Sequence, residues 1–287
     1  MNRALIFSAI IEDSWRESWA RRASLVVSLI ALALLLLFAF GVGVRLDEAQ
    51  PDLVRVSLFG VELRVQTVFK ATFADAVELV ALGLLNPWGI FLGLFITIGL
   101  FSGMFVRGRI DLVLSKPIAR WELYLARYLG GVVLVGVTTM LFCLGVWFLL
   151  WLKIRYTDLG LIWASLVLVF LFAVLYSFAA LLALVTEGTG AALVATIVLW
   201  GLTEFAYARD ILRPLSPILG SIADALYYLL PKTNDLEIVT ARLIGAEQLL
   251  TEASSEVASV GFAFGTSGLF ALVMLALGIF VFSRKDY

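Results

Sequence analysis

The run Leu159-Gly-Leu-Ile-Trp-Ala-Ser-Leu-Val-Leu-Val-Phe-Leu-Phe-Ala-Val-Leu-Tyr-Ser-Phe-Ala-Ala-Leu-Leu-Ala-Leu-Val-Thr186 contains no Asp, Glu, Lys or Arg. A helix needs about 20 apolar residues to cross the ~30 Å hydrocarbon core of a bilayer. This run is long enough, and it is not alone. Charge-free apolar stretches also run from Ser24 to Val44, Leu79 to Val106, Tyr128 to Leu152 and Val257 to Ser283. A shorter one, Gly188 to Thr203, reaches Ala208 by taking in Glu204.

Composition agrees. The 287-residue chain is 62% hydrophobic and 15% charged, whereas a soluble domain is about half apolar and a quarter charged. A water-soluble fold of this size has too little interior to hide that much apolar surface. The reading is an all-α integral membrane protein with six transmembrane helices, at about 24–44, 86–106, 128–152, 160–184, 189–207 and 262–283. Asn86-Pro87 is read as the entry to the second span. The segment 214–231 is apolar but interrupted by Pro217, Gly220 and Asp224, so it reads as interfacial or re-entrant, an arrangement tolerated where protein or water covers the backbone.

Several function classes are set aside by what is missing. The chain has no histidine, which removes histidine-based nucleophilic catalysis, His-ligated zinc and His-ligated haem. It has one cysteine, Cys143, and so no internal disulfide or paired-Cys metal motif. Net charge is −1, so the chain lacks the global basic signal of a nucleic-acid-binding protein, and no nucleic-acid partner is expected. No Gly-x-x-x-x-Gly-Lys-Ser/Thr phosphate loop occurs. The expectation is a protein that is not an enzyme.

Orientation rests on the density of basic residues, since their raw count divides almost evenly. Arg107, Arg109, Lys116, Arg120 and Arg127 crowd one short loop, as cytoplasmic loops do. Both termini are then expected in the cytoplasm. Residues 4–22 read as an amphipathic interfacial helix. Phe7, Ile11, Trp15 and Trp19 recur at helical spacing, opposite Glu12, Asp13, Arg16 and Glu17. The acidic residues and the long apolar run that follows argue against a cleaved signal peptide. On the other side, Val54, Val56 and Leu58, then Val61, Leu63 and Val65, alternate with polar residues about Phe59-Gly60. That alternation predicts a small external β-hairpin.

The loop after the second span reads Arg109-Ile-Asp-Leu-Val-Leu-Ser-Lys-Pro-Ile-Ala-Arg-Trp-Glu-Leu-Tyr-Leu-Ala-Arg-Tyr-Leu-Gly130. Asp111–Leu114 suits a short helix, Pro117 breaks it, and Ile118 onward restarts one. The spacing fits a charged docking element and equally fits ordinary positive-inside anchoring. The stretch resembles the cytoplasmic loop of ABC-2-type permeases, the exporter-type membrane subunits of ABC transporters. Ala119 and Arg127 stand where that family commonly has Ser and Lys. The ending Phe282-Ser-Arg-Lys-Asp286 resembles the family's ending, and the layout of surface helix, six spans and external helical segment is similar.

The resemblance implies one transmembrane permease domain over residues 1–287, in the plasma membrane of a bacterium or archaeon. It implies pairing with a second permease subunit, as homo- or heterodimer, and docking of a cytoplasmic ABC ATPase that binds ATP and Mg; this chain would hold no cofactor. Arg109, Asp111, Lys116, Pro117, Arg120, Trp121 and Glu122 would form the ATPase-coupling loop.

Three other readings compete. An ion-gradient-driven secondary transporter usually keeps ionisable groups inside the membrane; Glu204 is the one candidate in these spans. A membrane scaffold subunit is the second. A carboxylate-based membrane enzyme would need groups such as Asp210, Asp224, Asp235 and Glu237, which read as a solvated outer face. Thr138 and Thr139 are expected to bond to their own helix, and Gly99 and Gly103 to permit close helix approach.

Overall fold

The computed structural model describes residues 22–46, 50, 52–62, 68–102, 119–246 and 259–285. The expected interfacial helix (Phe7, Ile11, Trp15, Trp19) and the loop residues Arg109, Asp111, Lys116 and Pro117 lie outside the described residues, as does Gly103. The helices are α1 (Arg22–Gly41), α2 (Lys70–Leu84), α3 (Ile90–Ser102), α4 (Arg120–Ile154), α5 (Gly160–Thr186), α6 (Thr189–Tyr207), α7 (Arg209–Leu215), α8 (Pro217–Leu229), α9 (Thr233–Leu243) and α10 (Val260–Arg284). Strands β1 (Val42–Leu46), β2 (Leu53–Leu58), β3 (Val61–Glu62) and β4 (Val68–Phe69) lie between α1 and α2.

Five helical units among the described residues are long and apolar enough to cross a membrane: Lys70–Gly99, Arg120–Ile154, Gly160–Thr186, Thr189–Tyr207 and Val260–Arg284. The fold is therefore that of a helical, multi-pass membrane protein. A sixth apolar helix, Leu25–Gly41, is shorter. Its expected end at 44 is corrected to Gly41, because Val42–Leu46 leaves the helix and pairs antiparallel with β2. Valine and glycine are apolar enough to look like span, but they take the extended backbone here.

The second span is corrected more substantially. Helix begins at Lys70, far before the expected 86, and Asn86-Pro87 lies inside the unit. Proline lacks an N–H and pushes its predecessor out of helical geometry. Asn86 accordingly sits at φ −116°, ψ 112°, within a widened turn over Leu85–Gly89. The helix survives before this break because α2 is rich in alanine and buries Phe73, Ala74, Ala81 and Leu82.

The hairpin forms with Phe59 and Gly60 at its turn, both at positive φ (50° and 81°), as a two-residue turn between twisted strands requires. Ser57 pairs with Glu62 and Leu58 with Val61. The hairpin is part of a larger sheet than expected, with β1 along one edge of β2, and β3 and β4 sharing the other. Segment 214–231 is neither strand nor span: it is the end of α7 followed by α8, with Pro217 at the first turn of α8 and extended Ser216 between.

Helix α5 is the axis of the bundle, packed by α3, α4, α6, α9 and α10. Ala164, Ala179, Ala180 and Ala183 have no exposed surface, and small residues let neighbouring backbones approach. Tyr128 stacks on Tyr176 with centroids 5.2 Å apart, and Phe172 stacks on the same ring at 5.4 Å. The Tyr128 hydroxyl donates to Ala173 O at 2.8 Å. As expected, the Thr138 hydroxyl donates to its own helix, at Leu134 O.

Polar contacts at the helix ends define two faces. At one, Arg120 reaches Ser283 O and Lys285 O, and Lys285 pairs with Glu187. At the other, Lys153 donates to Ala39 O and Val42 O, and Lys70 to Arg155 O. Since Gly41 lies beside the Ile154 end of α4, the start of α1 and the end of α10 are on the same side of the bundle.

Candidate functional site

At the first face, helix α4 starts where residue 119 is extended (φ −68°, ψ 140°) and residue 120 turns helical. The Glu122 carboxylate accepts from the Ala119 N–H at 3.3 Å, satisfying one of the donors that a helix start leaves open. Arg120 donates through Nη1 to Lys285 O at 2.7 Å and to Ser283 O at 3.3 Å. A cation at the carbonyl end of a helix is favoured by the helix dipole. Trp121 is about half exposed (47%).

Of the seven predicted coupling residues, three are therefore placed. Arg120 and Glu122 hold the helix start and the end of α10, and Trp121 is left presented outward. The aromatic contacts continue the clasp inward. Tyr124 is fully buried, edge-on to Phe101 at 5.2 Å and tilted against Phe282 at 6.2 Å. Gly278 makes room for it: a Cβ there would meet the Tyr124 ring and hydroxyl. The two stretches whose residues resemble the permease family, 109–130 and 282–286, thus pack together where they are described.

At the opposite face, α2, α6 and α9 enclose a cleft of about 440 Å³, within the usual range for small-molecule sites. Leu79, Leu82, Gly83 and Asn86 come from the second span and its break, Glu204 and Tyr207 from α6, and Asn234, Glu237, Ile238, Thr240 and Ala241 from α9. Asn234 Nδ2 donates to Glu204 Oε2 at 3.0 Å. Burial pushes the Glu237 carboxyl above the usual range, its hydrogen bond with the Asn86 side chain opposes this, and the Glu204 charge adds to it. Asn86 Oδ1 is buried with no hydrogen-bond partner among the described residues.

Beside the cleft lies a buried polar cluster. Tyr227 Oη donates to Asp235 Oδ2 at 3.0 Å. The Arg209 guanidinium and the Lys232 ammonium lie 3.7 and 4.0 Å from the Tyr227 ring centroid, a cation–π arrangement. Lys232 is 4% exposed and Asp235 is 2% exposed. Burial lowers the Lys232 pKa to about 8 and raises that of Asp235. The expectation of a solvated outer face is corrected here: Asp210 is exposed, but Asp235 is buried and Glu237 faces the cleft.

Glu78 overturns a second premise. It lies in the Lys70–Gly99 unit, has no exposed surface, and neither carboxyl oxygen has a hydrogen-bond partner among the described residues. Asp75 stands one turn away, where Tyr156 Oη donates to it at 3.4 Å. Glu204 is therefore not alone as an ionisable group within the spans. Charge-free runs do not reveal Glu78, because the apolar run begins one residue later at Leu79; the signal in the sequence is the Asp75/Glu78 spacing of three on an alanine-rich helix.

No family model matches the chain, and no curated protein matches it either.

Proposed function

We propose that the chain is the permease subunit of an ATP-binding cassette exporter of the ABC-2 type, moving its substrate with ATP hydrolysed by a separate cytoplasmic subunit. The observation that carries this reading is the clasp between Arg120 and the end of α10. It joins the two sequence stretches that resemble the family, 109–130 and 282–286, at one face of a bundle with membrane-crossing helices. In this reading Trp121 and the preceding Arg109, Asp111, Lys116 and Pro117 meet the ATPase. A second permease copy or a related permease completes the assembly. The Arg120 face is cytoplasmic and the membrane is the plasma membrane.

The mechanics follow from α4. Its 35 residues span about 52 Å at 1.5 Å per residue, well beyond the ~30 Å hydrocarbon core. It contacts α1, α2, α3, α5, α10 and β1. A displacement at Arg120 is carried along this one rod to the sheet. ATP binding to the partner would thereby bias the bundle between two arrangements.

Glu78 favours a second reading, a gradient-driven transporter, because buried ionisable groups in membrane spans serve as ion or proton relays. Purification of the tagged chain in mild detergent, with mass spectrometry of co-purifying proteins, separates the two. The permease reading expects a near-stoichiometric ATPase that is lost when Arg109, Asp111, Lys116 and Trp121 are all changed to alanine, which leaves the Arg120 clasp in place. Recovery of an intact oligomer with no ATPase would contradict it and favour the gradient-driven reading.

A further inference from the structure

We propose that the cleft between α2, α6 and α9 is a binding site for an organic cation carrying a primary ammonium group on an alkyl chain. The proposal is independent of the ATPase reading, since it concerns the opposite face and needs no partner.

The charged groups in the cleft are unbalanced in one direction. Two carboxylates, Glu204 and Glu237, line it, and no Lys or Arg does. Most donors present are committed: Asn234 Nδ2 to Glu204, the Asn86 amide to Glu237 and the Thr240 hydroxyl to Glu237 O, with the Tyr207 hydroxyl as the neutral donor beside them. Asn86 Oδ1 is left as a buried acceptor without a donor among the described residues. An unmet buried acceptor costs the desolvation of that group, and a ligand that donates hydrogen bonds removes the cost. An ammonium offers three donors and no acceptor, and its charge suits the pair of carboxylates.

The walls select the rest of the ligand. Leu79, Leu82, Ile238 and Ala241 supply apolar surface beside the acceptors, which suits a methylene chain. A volume of about 440 Å³ is far more than a bare ion occupies and is typical of an organic ligand. The site is also built to hold its shape. Pro87 breaks the second span at Asn86, so the amide projects from a non-helical residue (φ −116°, ψ 112°), and α9 is fixed to α5 where Gly160 abuts the Leu243 backbone.

Spermidine is the probe, added to the purified full-length chain with thermal unfolding and calorimetry as readouts, and a neutral polyether of similar length as control. The expected result is a rise in melting temperature with spermidine and none with the polyether. Glu204→Gln and Glu237→Gln, which keep the side-chain volume, are each expected to weaken binding about tenfold. Leu79→Trp fills the cleft while leaving both carboxylates, and is expected to abolish binding. The proposal is overturned if spermidine has no effect on a folded chain, if Leu79→Trp binds it as well as the unaltered protein, or if Mg²⁺ or Ca²⁺ at equal charge concentration gives the same shift. None of these results depends on whether an ATPase partner exists.

Discussion

The two faces of the bundle are held together by different means. At the Arg120 face, helix tips meet through few, specific contacts: a guanidinium on two carbonyls, and a lysine bridging Glu187 and Leu184 O. At the sheet face, a cap of strands and short helices covers the ends of the spans and buries charged groups of its own. The difference tracks solvent. Spans surrounded by apolar surface need little at their tips beyond satisfied carbonyls, whereas the cap has a small polar interior whose every group needs a partner. A face secured by a few hydrogen bonds can move as a unit; one secured by a packed cap resists.

The sharpest way to break this contrast is at the seam of the cap. Gly160→Ala places a Cβ 2.1 Å from the Leu243 carbonyl oxygen, a backbone atom that cannot turn aside. Overpacking of this kind costs about 1–3 kcal/mol, and we expect the upper end, read as a loss of several degrees in melting temperature. Gly278→Ala at the other face meets the Tyr124 hydroxyl at the same 2.1 Å, but a side chain can rotate. A smaller loss is expected there; equal losses would erase the contrast.

Next in size is Arg120→Ala. Charge-assisted hydrogen bonds contribute about 1.5–3 kcal/mol each, but these hold only the end of α10. Hydrogen exchange at residues 283–285 is expected to accelerate at least tenfold, with little change in the global melting temperature. A global loss as large as that of Gly160→Ala would show that the clasp is structural rather than a local joint.

Lys232 gives a smaller effect with a defined sign. Burial brings its pKa from 10.5 to about 8. Between those values the unfolded chain binds more protons than the folded one, so stability rises as pH increases from about 8 to 10.5. Below pH 8 the folded protein carries the full cost of the buried charge, offset in part by the Tyr227 ring and Asp235. Lys232→Met should flatten the rise and raise the melting temperature slightly at pH 7. A rise that persists unchanged in this variant would mean another group titrates.

Much of the membrane architecture was legible because apolar length is a direct physical requirement of a bilayer. Helices stand where 128–152, 160–184, 189–207 and 262–283 were expected; 189–207 matches end to end, 160–184 and 262–283 are two and three residues longer, and the first begins eight residues earlier, at Arg120. The Phe59-Gly60 turn was legible because period-two alternation runs on either side of a glycine, which accepts positive φ. Strand β1 was not, since Val42-Gly-Val44 is equally apolar as span or strand and its partner is contributed by β2. Nor did hydropathy separate α5 from α10. Both are similarly apolar, yet α5 is buried by five neighbours while Leu269 and Leu272 of α10 are about two-thirds exposed (63% and 65%). The cleft was hidden for the same reason: Asn86, Glu204 and Glu237 are far apart in sequence, and a charge on its own says nothing of what covers it.

The two faces are expected to lie on opposite sides of a membrane, and the proposed function puts the Arg120 face in the cytoplasm. Cysteine labelling in whole cells tests that. Cys143 is buried and single, so a Cys143→Ala background is a clean start. Phe59→Cys places a thiol at the exposed turn of the sheet, and Glu187→Cys places one beside the Lys285 contact. A membrane-impermeant maleimide is expected to label the first in intact cells and the second only after permeabilisation. Labelling of both from the same side, or of the Glu187 position alone in intact cells, would contradict the account.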